Sequence, residues 1–311
     1  MWRSFGKKLL GLLVFVLFLS FISFCLLKLV PGDPVRSMLR VDDVAVSRED
    51  IADLRNELGL DRPLLVQYGA WLGKLLRLDF GVSYMTYRPV LGEFAEKLPF
   101  TLLLTGGSLL VMLVISVPLG ALSAVYRNRW VDRFSRVFSL IGSSLPSFWL
   151  GLLLIQLLSV KLHLLPPMGG GSLAHLVLPS LTLGVAMSAI YVRLIRSSLL
   201  ESGGQDFVAS AKARGLHPAR VFWFHTFRHS LVPLVTLLSE SLGSLLGGTL
   251  VVEILFAYPG LGKWIVDAIV ARDYPVIQGY ILFISLCIVV LNLLVELSYR
   301  WIHPQLGWKG R

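Results

Sequence analysis

Residues 206–233 read DFVASAKARGLHPARVFWFHTFRHSLVP, a basic, hydrophilic stretch set between two long apolar runs. Asp206 suits an N-cap for a short helix over Phe207–Arg214. Gly215 stands where a left-handed residue closes a helix, and His217-Pro218 opens a second one with proline in its first turn. The first helix carries small side chains at Ala209, Ser210, Ala211 and Ala213, which let a backbone enter a socket on another protein. Lys212, Arg214 and Arg220 surround that face with positive charge, suited to an acidic cleft. The second helix, with Phe222, Trp223, Phe224 and Phe227, reads as an interfacial element that hands mechanical load to the next apolar run. A plain interfacial loop, whose bases only fix orientation, is the competing reading of the same residues.

Composition gives this stretch its setting. Of 311 residues, 55% are hydrophobic and 15% charged, too little charge to cover a soluble protein of this size, so lipid must solvate much of the surface. The net charge of +10 comes from short clusters between apolar runs, which the positive-inside rule explains. No stacking-aromatic or groove-reading motif accompanies it, which argues against nucleic acid as a partner. Cys25 and Cys287 fall inside apolar runs without metal-ligand spacing and read as small hydrophobes.

Six spans are expected, at Leu9–Val30, Thr101–Val125, Phe138–Val160, Leu176–Ile195, Leu231–Phe256 and Val276–Tyr299. The first, at 1.5 Å per residue, reaches roughly 33 Å, about the hydrocarbon thickness of a bilayer. It lacks a small-residue cleavage site and reads as an uncleaved anchor. Pro118 and Pro146 lie inside expected spans, where neighbouring helices can satisfy the freed carbonyls. Gly106-Gly107, Gly243 and Gly247-Gly248 allow close helix approach.

Arginines fill the turn after the second span (Arg127, Arg129, Arg133, Arg136) and the connection after the fourth, whereas residues 162–174 have neither Lys nor Arg. Both termini and the arginine loops are therefore expected in the cytoplasm. Residues 31–99 are then external, with helices expected over Arg48–Leu58, capped by Ser47, and as an amphipathic surface element over Val66–Leu78. Gly169-Gly170-Gly171 reads as a flexible outer turn. The linear organisation expected is an anchor helix with an external segment (1–98), a polytopic helical domain (99–303) and a cytoplasmic tail (304–311).

Glu240, near the middle of the fifth span beside Ser239, is costly if it faces lipid. It reads either as a lining group of a translocation path or as a protonated hydrogen-bonding partner between helices. Glu253 and Glu296 read as interfacial carboxylates, Glu253 setting the turn that follows it. His225 and His229 are four apart but lack a third ligand, so no metal and no cofactor is expected. No GxxxxGK[ST] loop and no nucleophile–base constellation occurs, so any ATP must be hydrolysed by another chain.

The segment Ala211-Lys-Ala-Arg-Gly215, followed by Leu231-Val-Pro233, resembles the "EAA" loop of ABC-importer permeases, whose coupling helix docks on the ATPase. The family's acidic position is Ala209 here, with Asp206 nearby, and the stretch from Gly215 to Pro233 is longer than the general pattern. That longer form is similar to the dipeptide/oligopeptide/nickel branch. So are Leu58-Gly-Leu-Asp-Arg-Pro63, Pro146-Ser-Phe-Trp149, Glu253–Gly262 and Ala271-Arg-Asp-Tyr-Pro275.

The resemblance implies an all-α polytopic membrane protein with six transmembrane helices and the type I (MetI-like) importer permease fold. It also implies a second homologous permease, two cytoplasmic ATP-binding subunits and an external solute-binding protein. The expected function is ATP-driven uptake of peptides or a related small solute across the cytoplasmic membrane, with nickel as an alternative cargo. Coupling is expected at Asp206, Ala209, Ala211, Arg214, Gly215 and Pro233, and the path at Glu240 and Ser239. A secondary carrier would need several midplane charges, where only Glu240 qualifies. An intramembrane hydrolase would need a paired nucleophile and base, for which His175 and scattered serines are a weak basis.

Overall fold

A computed structural model describes residues 11, 14–25, 53, 61–230, 241, 245 and 249–302, with side chains up to residue 290 and at residue 293. The described residues are overwhelmingly helical, with one isolated antiparallel bridge, Val82 to Pro89, and no strand. They form two compact units that alternate along the chain, one from Met1–Pro99 and Gly260–Val290, the other from Phe100–Pro259 and Leu291–Arg311.

In the first unit, α1 (Val14–Cys25) carries the described part of the first apolar run. Helix α2 (Leu64–Leu75) was expected as a surface element from its periodicity. It packs on α1 instead: Tyr68 meets Phe21 and Phe24 edge-on, with centroids 5.1 and 5.6 Å apart, and its hydroxyl lies 2.7 Å from Ser20 Oγ. Of the expected helix over residues 48–58 only Asp53 is described, in helical conformation, and its Ser47 cap lies outside the described residues.

Helix α3 (Val90–Val125) begins well before the expected Thr101, running through Pro99 without interruption. At 1.5 Å per residue it is about 54 Å long, more than a bilayer's hydrocarbon needs. Pro118 also sits inside it. Pro146 behaves differently. Its predecessor Leu145 is extended (φ −87°, ψ 129°), as the clash with a following proline ring favours. That breaks the expected third span into α4 (Trp130–Ser144) and α5 (Ser147–Leu154), which continues as a π-helix over Ile155–Lys161. The two segments meet at a bend of 104°.

Helix α6 (Leu173–Gly203) is the expected fourth span, extended by about two turns past Ile195. Among the described residues, α3 and α6 are each long and apolar enough to cross a membrane, and the bent α4–α5 pair passes if taken as one span. The first part of the fifth expected span, with Pro233, Ser239 and Glu240, lies outside the described residues. Before it come α7 (Asp206–Ala213) and α8 (Pro218–Val221) with its π-helical continuation Phe222–Phe227. They are followed by α9 (Leu250–Leu255), α10 (Leu261–Val270) and α11 (Tyr274–Ile302), the sixth expected span.

The second unit's core forms where α6 crosses α3 and α4 at glycines. A Cβ built on Gly184 would lie 2.5 Å from Val111 Cβ, one on Gly120 2.8 Å from Ile195 Cβ, and one on Gly142 2.5 Å from Ala189 Cβ. Only hydrogen fits at these crossings, so the helix backbones approach closely. Met112, Tyr191, Ile195 and Leu199 bury the seam toward Asp206, and Leu104, Leu178, Leu183 and Phe256 the seam at the other end.

Candidate functional site

The residues after α6 build a compact helix pair. Gln205, extended at φ −75° and ψ 150°, is the N-cap of α7, and Asp206 occupies the first helical position rather than the cap expected for it. Its carboxylate still sits at the helix's positive end, where it is favoured. At the other end Gly215 adopts φ +77°, which an L side chain resists. Its N–H bonds to Lys212 O (2.9 Å), and the Leu216 N–H reaches back to Ala211 O (3.4 Å). This paired closure is the Schellman arrangement, sealed by Leu216 packing on Val208, Ala211 and Val221. His217 caps the next helix, its Nδ1 accepting from Ala219 N–H at 3.3 Å, with Pro218 in the first turn.

Ala211 is 1% exposed and is turned into this small core, so it cannot belong to a docking face as expected. Its short side chain is required because Leu216 and Val221 close over it. The face left open consists of Ala209, Ser210 and Ala213, with Asp206, Lys212 and Arg214 exposed around it. Arg214 folds back along α7, Nε donating to Ser210 O at 3.3 Å. Trp223 and Phe224 are exposed, while Phe222 and Phe227 pack against the cluster of Met112, Tyr191, Ile195 and Leu199. His229 stacks near Phe207, centroids 5.2 Å apart, and its Nδ1 lies 3.3 Å from Ser202 Oγ. Among the described residues no group of three or more His, Cys, Asp or Glu could hold a metal ion.

Helix α6, which leads into α7, is fastened by a group that the sequence reading passed over. Asp132 of α4, its side chain fully buried, receives Arg196 Nε at 2.6 Å and Nη2 at 3.0 Å. Ser123 Oγ of α3 donates to it at 2.8 Å and the Asn128 N–H at 2.9 Å, while Ser135 Oγ donates to Ser123. The Arg196 guanidinium, helped by the Asn128 amide and the Ser123 hydroxyl, holds the Asp132 carboxyl well below the usual carboxylate range despite burial. The signal was present: Asp132 is the lone acid in the arginine-rich stretch Arg127–Arg136.

At the other end of the unit Glu253 is fully buried within the protein, accepting from Thr101 Oγ1 (2.8 Å) and Thr249 Oγ1 (2.9 Å). The glycine triplet, expected as a flexible turn, is pinned: Gly169 N–H donates to Phe256 O at 2.8 Å, and a Cβ on Gly170 would lie 2.4 Å from Pro259 Cδ.

Comparison with known proteins places this architecture. Residues 1–105 match the family described as "Binding-prot-dependent transport system membrane comp, N-term". Residues 116–308 match "Binding-protein-dependent transport system inner membrane component". The chain is 40% identical over 303 residues to the glutathione transport system permease protein GsiC of Salmonella paratyphi A, covering 97% of this chain and 98% of that one. It is 39% identical to GsiC of Escherichia coli K12 over the same length.

Among solved structures, the inward-facing MetNI methionine ABC transporter aligns with 68% of this chain and 97% of that one, at TM-score 0.58 and 20% identity. A chain of an amino acid ABC transporter with histidines aligns at TM-score 0.53 and 16% identity, over 67% and 94%. These likenesses establish the type I importer permease fold. The chain belongs to the family of binding-protein-dependent transport system inner membrane components, the membrane-embedded, non-catalytic permeases of ABC importers.

Proposed function

We propose that the chain forms, with a second homologous permease, the translocation path of an importer for peptides or a peptide-like solute such as glutathione. Two ATP-binding subunits on the cytoplasmic side supply the energy, and an external binding protein delivers the cargo. The observation that carries this reading is the exposed Ala209–Ser210–Ala213 face of α7, ringed by Lys212 and Arg214. Small side chains permit close backbone approach, and the charge suits an acidic cleft on a motor subunit. Full-length similarity to GsiC supports the solute class.

In this reading both termini are cytoplasmic. Asp206, Ala209, Arg214 and Gly215 form or shape the docking element, with Pro233 beginning the following span. Glu240 and Ser239 line the path, on sequence grounds. Residues 1–98 serve as anchor and external segment ahead of the permease domain over 99–303. ATP binding would draw α7 inward and rock the spans between inward- and outward-facing arrangements.

The test is affinity purification of the chain from its own membrane in mild detergent, followed by identification of the co-purifying subunits and any bound solute. Recovery of two ATPase copies, with hydrolysis stimulated by a loaded binding protein, is expected. A chain that purifies alone and transports with a dissipable ion gradient as its only energy source overturns the reading. Glu240→Gln and Glu240→Leu test the path: normal uptake by both removes Glu240 from it.

A further inference from the structure

Helix α6 reaches α7 through Gly203-Gly204, a soft link for carrying a mechanical stroke along the main chain. Side contacts offer a stiffer route. Ser198 Oγ donates to Ser230 O at 3.2 Å and Ser202 Oγ meets His229, so the helical turn that follows the π-helical stretch is tied to the C-terminal end of α6. About two turns before Gly203, Arg196 then grips Asp132, which also binds Ser123. One carboxylate thus joins α3, α4 and α6, the three helices that cross at Gly120 and Gly142.

A buried ion pair is a poor stabiliser, because removing two charges from water offsets most of their attraction; what it supplies well is a fixed arrangement. The glycine seams already pack these helices without it. The guanidinium approaches with two nitrogens on the two oxygens of Asp132, a geometry that resists rotation as well as separation.

We propose that the Asp132–Arg196 pair is a strut that carries the stroke received at α7 across to α3 and α4, making both residues positioning residues for transport. This rests on the coupling role assigned to α7. Without the strut, α7 and α6 would follow the motor while α3 and α4 lag, and ATP would be spent without cargo movement.

The test uses the complete transporter, with its partner permease, ATPases and binding protein, reconstituted in lipid vesicles. Arg196→Leu should assemble and hydrolyse ATP at the basal wild-type rate, while cargo moved per ATP falls at least about fivefold, the low end of site-to-site coupling. Arg196→Lys, which keeps the charge, should recover most of that ratio. Should Arg196→Leu fail to fold, Asp132→Asn, which removes the charge and keeps one of the two acceptor oxygens, decides the matter by the same ratio.

Unchanged cargo per ATP overturns the strut. So does a proportional fall of assembly, hydrolysis and uptake that Arg196→Lys does not relieve, which marks a purely structural pair. A wild-type chain that recruits no ATPase sinks the coupling role itself, and is visible before any variant is made.

Discussion

The carboxylate of Glu253 accepts a hydrogen bond from the Thr101 hydroxyl at 2.8 Å, joining positions 152 residues apart in a fully buried setting. The same oxygen takes the Thr249 hydroxyl at 2.9 Å. Glu253→Gln keeps an acceptor oxygen for both threonines and should leave thermal stability in detergent close to wild type. Glu253→Leu removes this acceptor from both threonines, and a buried hydroxyl bond lost in this way costs about 1–3 kcal/mol. Equal melting temperatures for the two variants would show that these hydrogen bonds contribute nothing.

Glycines separate into those at crossings and those in open positions. At Gly184 an added Cβ meets not only Val111 but the Ser108 carbonyl oxygen at 2.8 Å, a backbone atom that cannot step aside. At Gly106 nothing lies within 4 Å. Gly184→Leu should abolish the yield of monodisperse protein, whereas Gly106→Ala should express normally. The reverse ranking would refute the α3–α6 crossing.

The coupling element makes a sharper division between adjacent alanines. Ala209→Arg and Ala213→Arg add bulk to an exposed face, so they should spare the chain's insertion and block ATPase capture in pull-down. Ala211→Phe should disrupt the Val208–Leu216–Val221 packing itself, read as protease sensitivity of the 206–221 segment. Gly215→Arg forces an L side chain to φ +77°, costing about 1–2 kcal/mol locally, and should remove cargo-stimulated ATPase activity from an inserted chain.

How much of this was legible follows from which signals are local. Gly215, Pro218 and the small residues of α7 act within a few positions, and the chain order alone located them. Ala211 and Ala209 look alike in sequence; only the fold of α8 onto α7 buries one and leaves the other open. Pro118 and Pro146 are equally alike as letters, yet one lies inside a continuous helix and the other ends one. Asp132 was readable as an anomaly among arginines, but its partner is 64 positions away, and Arg196 had been explained by membrane orientation alone. Long-range pairs of this kind leave almost no local pattern.

The orientation proposed from arginine placement has a direct check. Lys212 and Met168 are both exposed, and the scheme assigns them to opposite sides of the membrane. With Cys25 and Cys287 replaced by Ala, Lys212→Cys should react with an impermeant maleimide only in inside-out vesicles. Met168→Cys should react only in intact cells. Labelling of both from the same side would invert or collapse the topology.

Tyr84, between α2 and α3, offers a titration. Burial, then the nearby charge of Asp273 and the Tyr274 phenol, push its pKa from 10.0 up to about 12. Asp273 is itself held in place by the Ser83 hydroxyl at 2.5 Å and the Met85 N–H at 3.3 Å. The folded state therefore retains the neutral phenol longer than the unfolded chain does. The resulting stability is fully present below pH 10 and disappears as pH rises through about 12. Tyr84→Phe should remove this alkaline loss, read as a flatter fall of melting temperature above pH 10. Asp273→Asn should draw the tyrosinate absorbance transition of Tyr84 to lower pH, because the repelling charge is gone while burial remains. A transition unmoved by Asp273→Asn would remove the Asp273 carboxylate from the causes and leave burial and the Tyr274 phenol.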